Sequence, residues 1–230
     1  MREIILDTET TGLDPLSGDR LVEIGCIELF NHVPTGQSFQ RYINPERDVP
    51  EAAFQVHGLS TAFLADKPKF ADHAEEFLAF IGDAPLVIHN AEFDLKFVNF
   101  ELERVGRKTL PPARAIDTVR MARQKFPGAP ASLDALCKRF SIDNSSRQLH
   151  GALLDAQLLA EVYLELIGGR QTGLTLDADV PVGGDLSFAK PAGARTGIKA
   201  RQPRLHAASA EELEAHGAFV AKLKNPLWLR

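Results

Sequence analysis

The segment Ile4-Ile5-Leu6-Asp7-Thr8-Glu9 constrains this chain more than any other, because a short apolar run gives way there to two carboxylates one residue apart. An apolar run bounded by the turn-forming Thr10-Thr11-Gly12 reads as a buried strand that stops at the acids. Asp7 and Glu9 are then expected together where the strand leaves its sheet. Such a pair repels itself and resists full ionisation unless a cation lies between the oxygens. Three further stretches bear on the pair: His89-Asn90-Ala91-Glu92-Phe93-Asp94, Asp117, and His150-Gly151-Ala152-Leu153-Leu154-Asp155.

Strands are expected at residues 3–7, 21–30 and 37–43, the last two separated by the loop Asn31-His32-Val33-Pro34-Thr35-Gly36. A helical pattern follows at 71–81, then a buried strand Leu86-Val87-Ile88. Leu95, Val98, Leu102 and Val105 share one helical face, and Ala115-Ile116-Asp117 reads as a short strand. Ser132 is placed to cap a helix through Phe140. Ala156, Leu159, Ala160, Tyr163 and Ile167 stripe a long helix that Gly168-Gly169 ends. Three strands followed by alternating helices and strands give an α/β layer on a mixed sheet of five strands.

The four acids Asp7, Glu9, Asp94 and Asp155 come from a strand end and two helix starts, so they are expected to meet in one cleft. Without cations such a cluster would be strongly self-repelling. All-oxygen ligands, with no paired Cys or His among them, favour Mg²⁺ or Mn²⁺ over zinc. Two such ions about 4 Å apart can clamp the attacking and leaving oxygens of a displacement at phosphorus. His150, five residues ahead of Asp155, follows the polar stretch Asp143-Asn144-Ser145-Ser146-Arg147-Gln148, which reads as a mobile loop. An imidazole there can take a proton from the attacking water, because its ordinary pKa lies near working pH.

Charge bears on the partner. Residues 1–168 carry 17 Lys and Arg against 25 Asp and Glu, whereas 169–230 carry 9 against 6, within a net charge of −5. An acidic body does not hold nucleic acid tightly by neutralising phosphates. It is compatible with brief handling of a strand end. Cys26 and Cys137 are far apart, each within an apolar run, as expected of packed thiols in a reduced, cytoplasmic protein. No apolar run is long enough for a bilayer, and no signal peptide precedes the first strand.

Asp7-Thr8-Glu9, Asp94, and His150 with Asp155 resemble the three exonuclease motifs of the DEDDh family. Glu23-Ile24-Gly25, Val56-His57-Gly58 and Ser132-Leu133-Asp134-Ala135-Leu136-Cys137 extend the likeness, as do His150 to Gln157 and Leu159-Ala160-Glu161-Val162-Tyr163. It runs through about residues 2–170 and is strongest to the members that proofread for bacterial replicative DNA polymerases. The resemblance implies an RNase H-like exonuclease fold, a mixed five-stranded sheet flanked by helices, and release of nucleoside 5′-monophosphates from a 3′ end. It also implies that Asp7 bridges two metal ions, Glu9 and Asp155 complete one site, and Asp94 holds the second, with His150 as the base. Asn90 and His57 would lie near the terminal nucleotide, and Gly12 and Leu13 against the last bases. One departure is Ala52, where the family often has Glu five residues before the motif histidine, so the sugar contact that the resemblance would imply for that side chain does not carry over.

Past the exonuclease domain at 1–170, residues 171–208 read as a flexible linker, rich in Gly, Ala and Pro between 177 and 205. Gln171-Thr172-Gly173-Leu174-Thr175-Leu176 resembles a sliding-clamp-binding peptide, although Leu176 stands where an aromatic residue is usual. Within 209–230, Ser209-Ala210-Glu211-Glu212 opens a helix carrying Leu213, Val220 and Leu223, which Asn225-Pro226 stops ahead of Trp228. One short amphipathic helix cannot bury itself, so this tail is expected either to fold back on its own domain or, as the preferred reading, to dock on another protein, which the resemblance makes a polymerase subunit. A small accessory subunit is a further partner that the resemblance raises. The function expected is a 3′→5′ DNA exonuclease that edits newly made DNA. The alternatives are an RNA-trimming exonuclease of the same fold, or a non-catalytic adaptor between polymerase and clamp.

Overall fold

The computed structural model describes residues 1–145, 147, 149–169 and 208–222. Strands β1 (Arg2–Thr10), β2 (Leu21–Phe30) and β3 (Val33–Tyr42) form an antiparallel meander. Asn31 and His32 both take positive φ, 51° and 65°, as the favoured two-residue hairpin turn requires. The hairpin therefore closes over two residues, and the loop expected at 31–36 contributes its last four to β3. Strands β4 (Leu86–Ile88) and β5 (Ala115–Asp117) add in parallel, giving the order β3-β2-β1-β4-β5.

β1 is the central strand, and it does not stop at the acids. β2 pairs with it as far as Thr10, so Asp7 and Glu9 lie within the ladder, not beyond its end. On the other side β4 meets β1 only at Ile4 and Ile5. From Leu6 onward one flank of the strand is open. Ligand sites in such sheets form outside the carboxyl ends of the parallel strands, where the strand order reverses.

Seven helices flank the sheet among the described residues of this unit: α1 (Glu51–His57), α2 (Thr61–Ala65), α3 (Phe70–Ile81), α4 (Ala91–Arg104), α5 (Thr118–Lys125), α6 (Leu133–Phe140) and α7 (Ala152–Leu166). Successive strand residues face opposite sides. Ile4 and Leu6 pack with Phe70, Phe77, Phe97 and Leu102 of α3 and α4. Ile5, Ile27, Leu29 and Val87 pack with Leu136, Leu159 and Val162 of α6 and α7. Helices α1, α2 and α5 carry no sustained apolar stripe. Asp117 starts α5 by accepting from Val119 N at 2.8 Å.

The chain divides after Leu176 into two units. In the second, α8 (Ala210–Val220) opens with the expected capping box between Ser209 and Glu212. It ends at Val220, short of Leu223. Gln171, Leu174, Leu176, Leu223 and Trp228 lie outside the described residues. No described helix is long and apolar enough to cross a membrane.

Candidate active site

At the open flank of β1, a cavity of about 630 Å³ is lined by Asp7, Glu9, Asp94, Asp155 and His150, with Gly12, Leu13, His57 and His89. The acids arrive from both faces of the sheet. Asp7 and Glu9, two residues apart, share the face covered by α7, whose first turn carries Asp155. Thr8 points to the other face, where its hydroxyl donates to Asp94 Oδ1 of α4 at 2.7 Å. Ligand atoms of Glu9, His150 and Asp155 lie within 4.8 Å of one another.

The electrostatics follow from burial and crowding. Glu9, Asp94 and Asp155 are buried. Burial, and then the charges of Asp94, Glu9 and Asp155, push the Asp7 carboxyl well above its usual range. Burial also raises Asp94. Glu9 is lifted to about 8 by burial and by Asp155, Glu23 and Asp94. Acids crowded and buried in this way regain their charge when hard cations lie among their oxygens. The donor set therefore fits divalent metal, which Asp7, Glu9, Asp94 and Asp155 could hold.

His150 is exposed at the cavity mouth, and its backbone N–H donates to Val56 O at 3.0 Å. Its Nδ1 lies 3.3 Å from Asp155 Oδ2 and 2.8 Å from Arg147 Nη2. Arg147 is the functional residue that the motifs miss. Its guanidinium grips both oxygens of Asp155, at 2.6 and 2.7 Å, and reaches Asp134 of α6 at 2.7 Å. The segment read as a mobile loop thus carries a cation that offsets the acids. Its one trace in the sequence is an Arg three residues before the histidine.

The same cavity is lined by the apolar residues Pro50, Ala52, Ala53 and Val56. His57, buried at the end of α1, accepts from Leu59 N at Nδ1, at 3.0 Å. Its Nε2 has no hydrogen-bond partner among the described residues, and in the neutral ring that atom carries the proton. Gly12 presses on Asp19, so closely that a Cβ would fall 2.3 Å from Asp19 Oδ2. Leu13 is 82% exposed at the rim. Asn90 does not join this group. It caps α4 with φ 67°, is exposed, and lines a neighbouring cleft with Asp117 and Arg120.

A mixed five-stranded sheet with acids converging on its central strand, and a histidine beside them, defines a metal-dependent nuclease of RNase H-like architecture. Known proteins give the family. A profile described as Exonuclease matches residues 4–163, and the chain belongs to that family. It is 60% identical over 179 residues to the DNA polymerase III subunit epsilon of Rickettsia felis, covering 76% of this chain and 78% of that protein. It is 41% identical over 238 residues to the same subunit of Pasteurella multocida, covering 99% and 93%. Among solved structures, the nuclease domain of 3'hExo, a DEDDh family member bound to rAMP, shares the fold, with a TM-score of 0.62 and 18% identity over 72% of this chain and 91% of that one. The chain is a 3′→5′ exonuclease of the proofreading kind.

Proposed function

We propose that this chain removes mismatched nucleotides from the 3′ end of newly made DNA, as a subunit of a replicative polymerase, using two Mg²⁺ or Mn²⁺ ions. The observation that carries the reading is the single cavity lined by Asp7, Glu9, Asp94, Asp155 and His150. The ions would polarise the scissile phosphate and stabilise the charge that builds on it. The chain's own residues do the rest. The apolar wall at Ala52, Ala53 and Val56 receives the flat face of the terminal nucleotide, and the His57 Nε2–H is a donor for one of its oxygens. Leu13 lies against the bases next in line. His150, exposed and beside Asp155, accepts the proton of the attacking water and can pass it to solvent.

The relatives named above are polymerase subunits, and the Pasteurella match extends through the tail. We assign 171–208 to a linker bearing a clamp-binding peptide at Gln171, Leu174 and Leu176, and 209–230 to polymerase docking through Leu213, Val220, Leu223 and Trp228. Leu213 and Phe219 are 60% and 59% exposed on α8, which supports a docking face, whereas Val220 is only 5% exposed. A small accessory subunit and a cytoplasmic location complete the proposal.

The test is hydrolysis of DNA and RNA oligonucleotides of one sequence, with and without Mg²⁺. The expected result is mononucleotide release from the DNA 3′ end, abolished by Asp7→Ala with the fold retained. Faster cleavage of RNA would favour a trimming enzyme, and no release at all would favour an adaptor.

A further inference from the structure

Helix α7 carries Asp155 in its first turn, yet it starts at Gly151, which has no side chain to cap it. The first N–H groups of a helix need an acceptor from elsewhere. Glu23 of β2 supplies one across 129 positions of sequence, its Oε2 accepting from Ala152 N at 3.2 Å. The other oxygen, Oε1, accepts from Gln40 of β3 at 2.7 Å. Glu23 is 2% exposed, and its bond to Ala152 is shielded from water. Two residues on, Gly25 faces the same helix. A Cβ there would fall 2.4 Å from the carbonyl carbon of Ala152 and 2.5 Å from Leu153 N. Those are backbone atoms and cannot swing aside. Gly25 has no positive φ, so the need for glycine is one of space.

The register ties this seat to the acids. Glu23 is paired across the ladder with Glu9, and Gly25 with Asp7. The residues that receive α7 are therefore the direct neighbours of the two acids that face it. We propose that Glu23-Ile24-Gly25 is the seat of α7, with Glu23 a positioning residue that sets Asp155 and His150 against Asp7 and Glu9. One carboxylate length and one missing methyl set how far the start of α7 stands from β2, the strand paired with β1. A shift of about 1 Å in such a frame can cost about 10²-fold in rate. The inference rests on the metal-dependent reading above.

The test uses the full chain with Glu23→Ala, Glu23→Gln and Gly25→Ala. Amide exchange of the metal-free protein reads the seat directly, and Mn²⁺ titration by electron paramagnetic resonance reads its consequence. In Glu23→Ala and Gly25→Ala, exchange should quicken at the first turn of α7 and not in α4. Mn²⁺ affinity should fall by about tenfold, and kcat by about 10²-fold with KM within about threefold. Glu23→Gln should recover most of both, since its amide oxygen can still accept from Ala152 while Gln40 turns its own amide round. Wild-type exchange and Mn²⁺ affinity in folded Glu23→Ala would overturn the proposal, as would a Glu23→Gln no better than Glu23→Ala. Should Glu23→Ala not fold, folded Gly25→Ala with unchanged Mn²⁺ affinity overturns it alone. Failure of the unaltered chain to bind Mn²⁺ would instead defeat the metal reading.

Discussion

Glu9 shows how much of this site depends on one side chain's charge. Its carboxyl is lifted from an ordinary 4.5 to about 8, first by burial and then by neighbouring acids. Below the unfolded value both states hold the proton. Between the two values only the folded state does, so stability falls as pH rises towards about 8. Asp7 and Asp94 act in the same direction. In EDTA the melting temperature should therefore drop between about pH 5 and about pH 9, and Mg²⁺ should flatten the slope by favouring the ionised acids. Arg147→Ala should steepen it, because the Arg147 cation now opposes the upward shifts of Asp7 and Glu9. A melting temperature that rises with pH in EDTA would contradict the account. The acids were legible in the sequence because each ends a recognisable pattern. Arg147 was not, and Glu23 showed only as part of the family likeness with no role attached, since each acts on α7 from a stretch whose own periodicity says nothing about it.

Elements built on apolar periodicity were legible: β2, α3, α4, α6 and α7 stand close to where the patterns put them, whereas β1 was found but runs on past the acids to Thr10. Among the short ones, strands β4 and β5 were legible at Leu86–Ile88 and Ala115–Asp117, but helices α1, α2 and α5 were not. Helix α1 is largely exposed along Glu51-Ala52-Ala53-Phe54-Gln55-Val56, so it has no stripe to read, and yet it positions His57. The turn after β1 depends on tertiary pairing in the same way. Arg20 sits at the far side of that turn, its N–H donating to Thr11 Oγ1 at 3.0 Å and its carbonyl accepting from Thr11 N at 2.9 Å. Its guanidinium meets both oxygens of Glu101 in α4, at 2.6 and 3.0 Å, and both residues are buried. Arg20→Met strands Glu101 and should cost about 3–5 kcal/mol in urea unfolding. Adding Glu101→Leu should restore most of that, because a well-packed apolar pair replaces a desolvated ionic one. A double variant no more stable than the single one would refute this.

On the scale of the whole molecule, an acidic catalytic body is joined to a C-terminal region with a net positive charge, 9 Lys and Arg against 6 Asp and Glu over 169–230. A nuclease that carries its own negative charge gains little from bulk attraction to DNA. Delivery by a tethered partner would raise the local concentration of strand ends instead. Deleting 205–230 should therefore abolish capture by the polymerase subunit while leaving hydrolysis of free oligonucleotides within about twofold. Retained co-purification would count against the docking assignment.

The most direct measurement is an anomalous-difference map from a crystal of this chain soaked in Mn²⁺. Two peaks are expected in the cavity, with the Asp7 carboxylate touching both, Glu9 and Asp155 at one and Asp94 at the other. Peaks elsewhere, or a cavity without any, would contradict the claim that these four acids are gathered to hold metal.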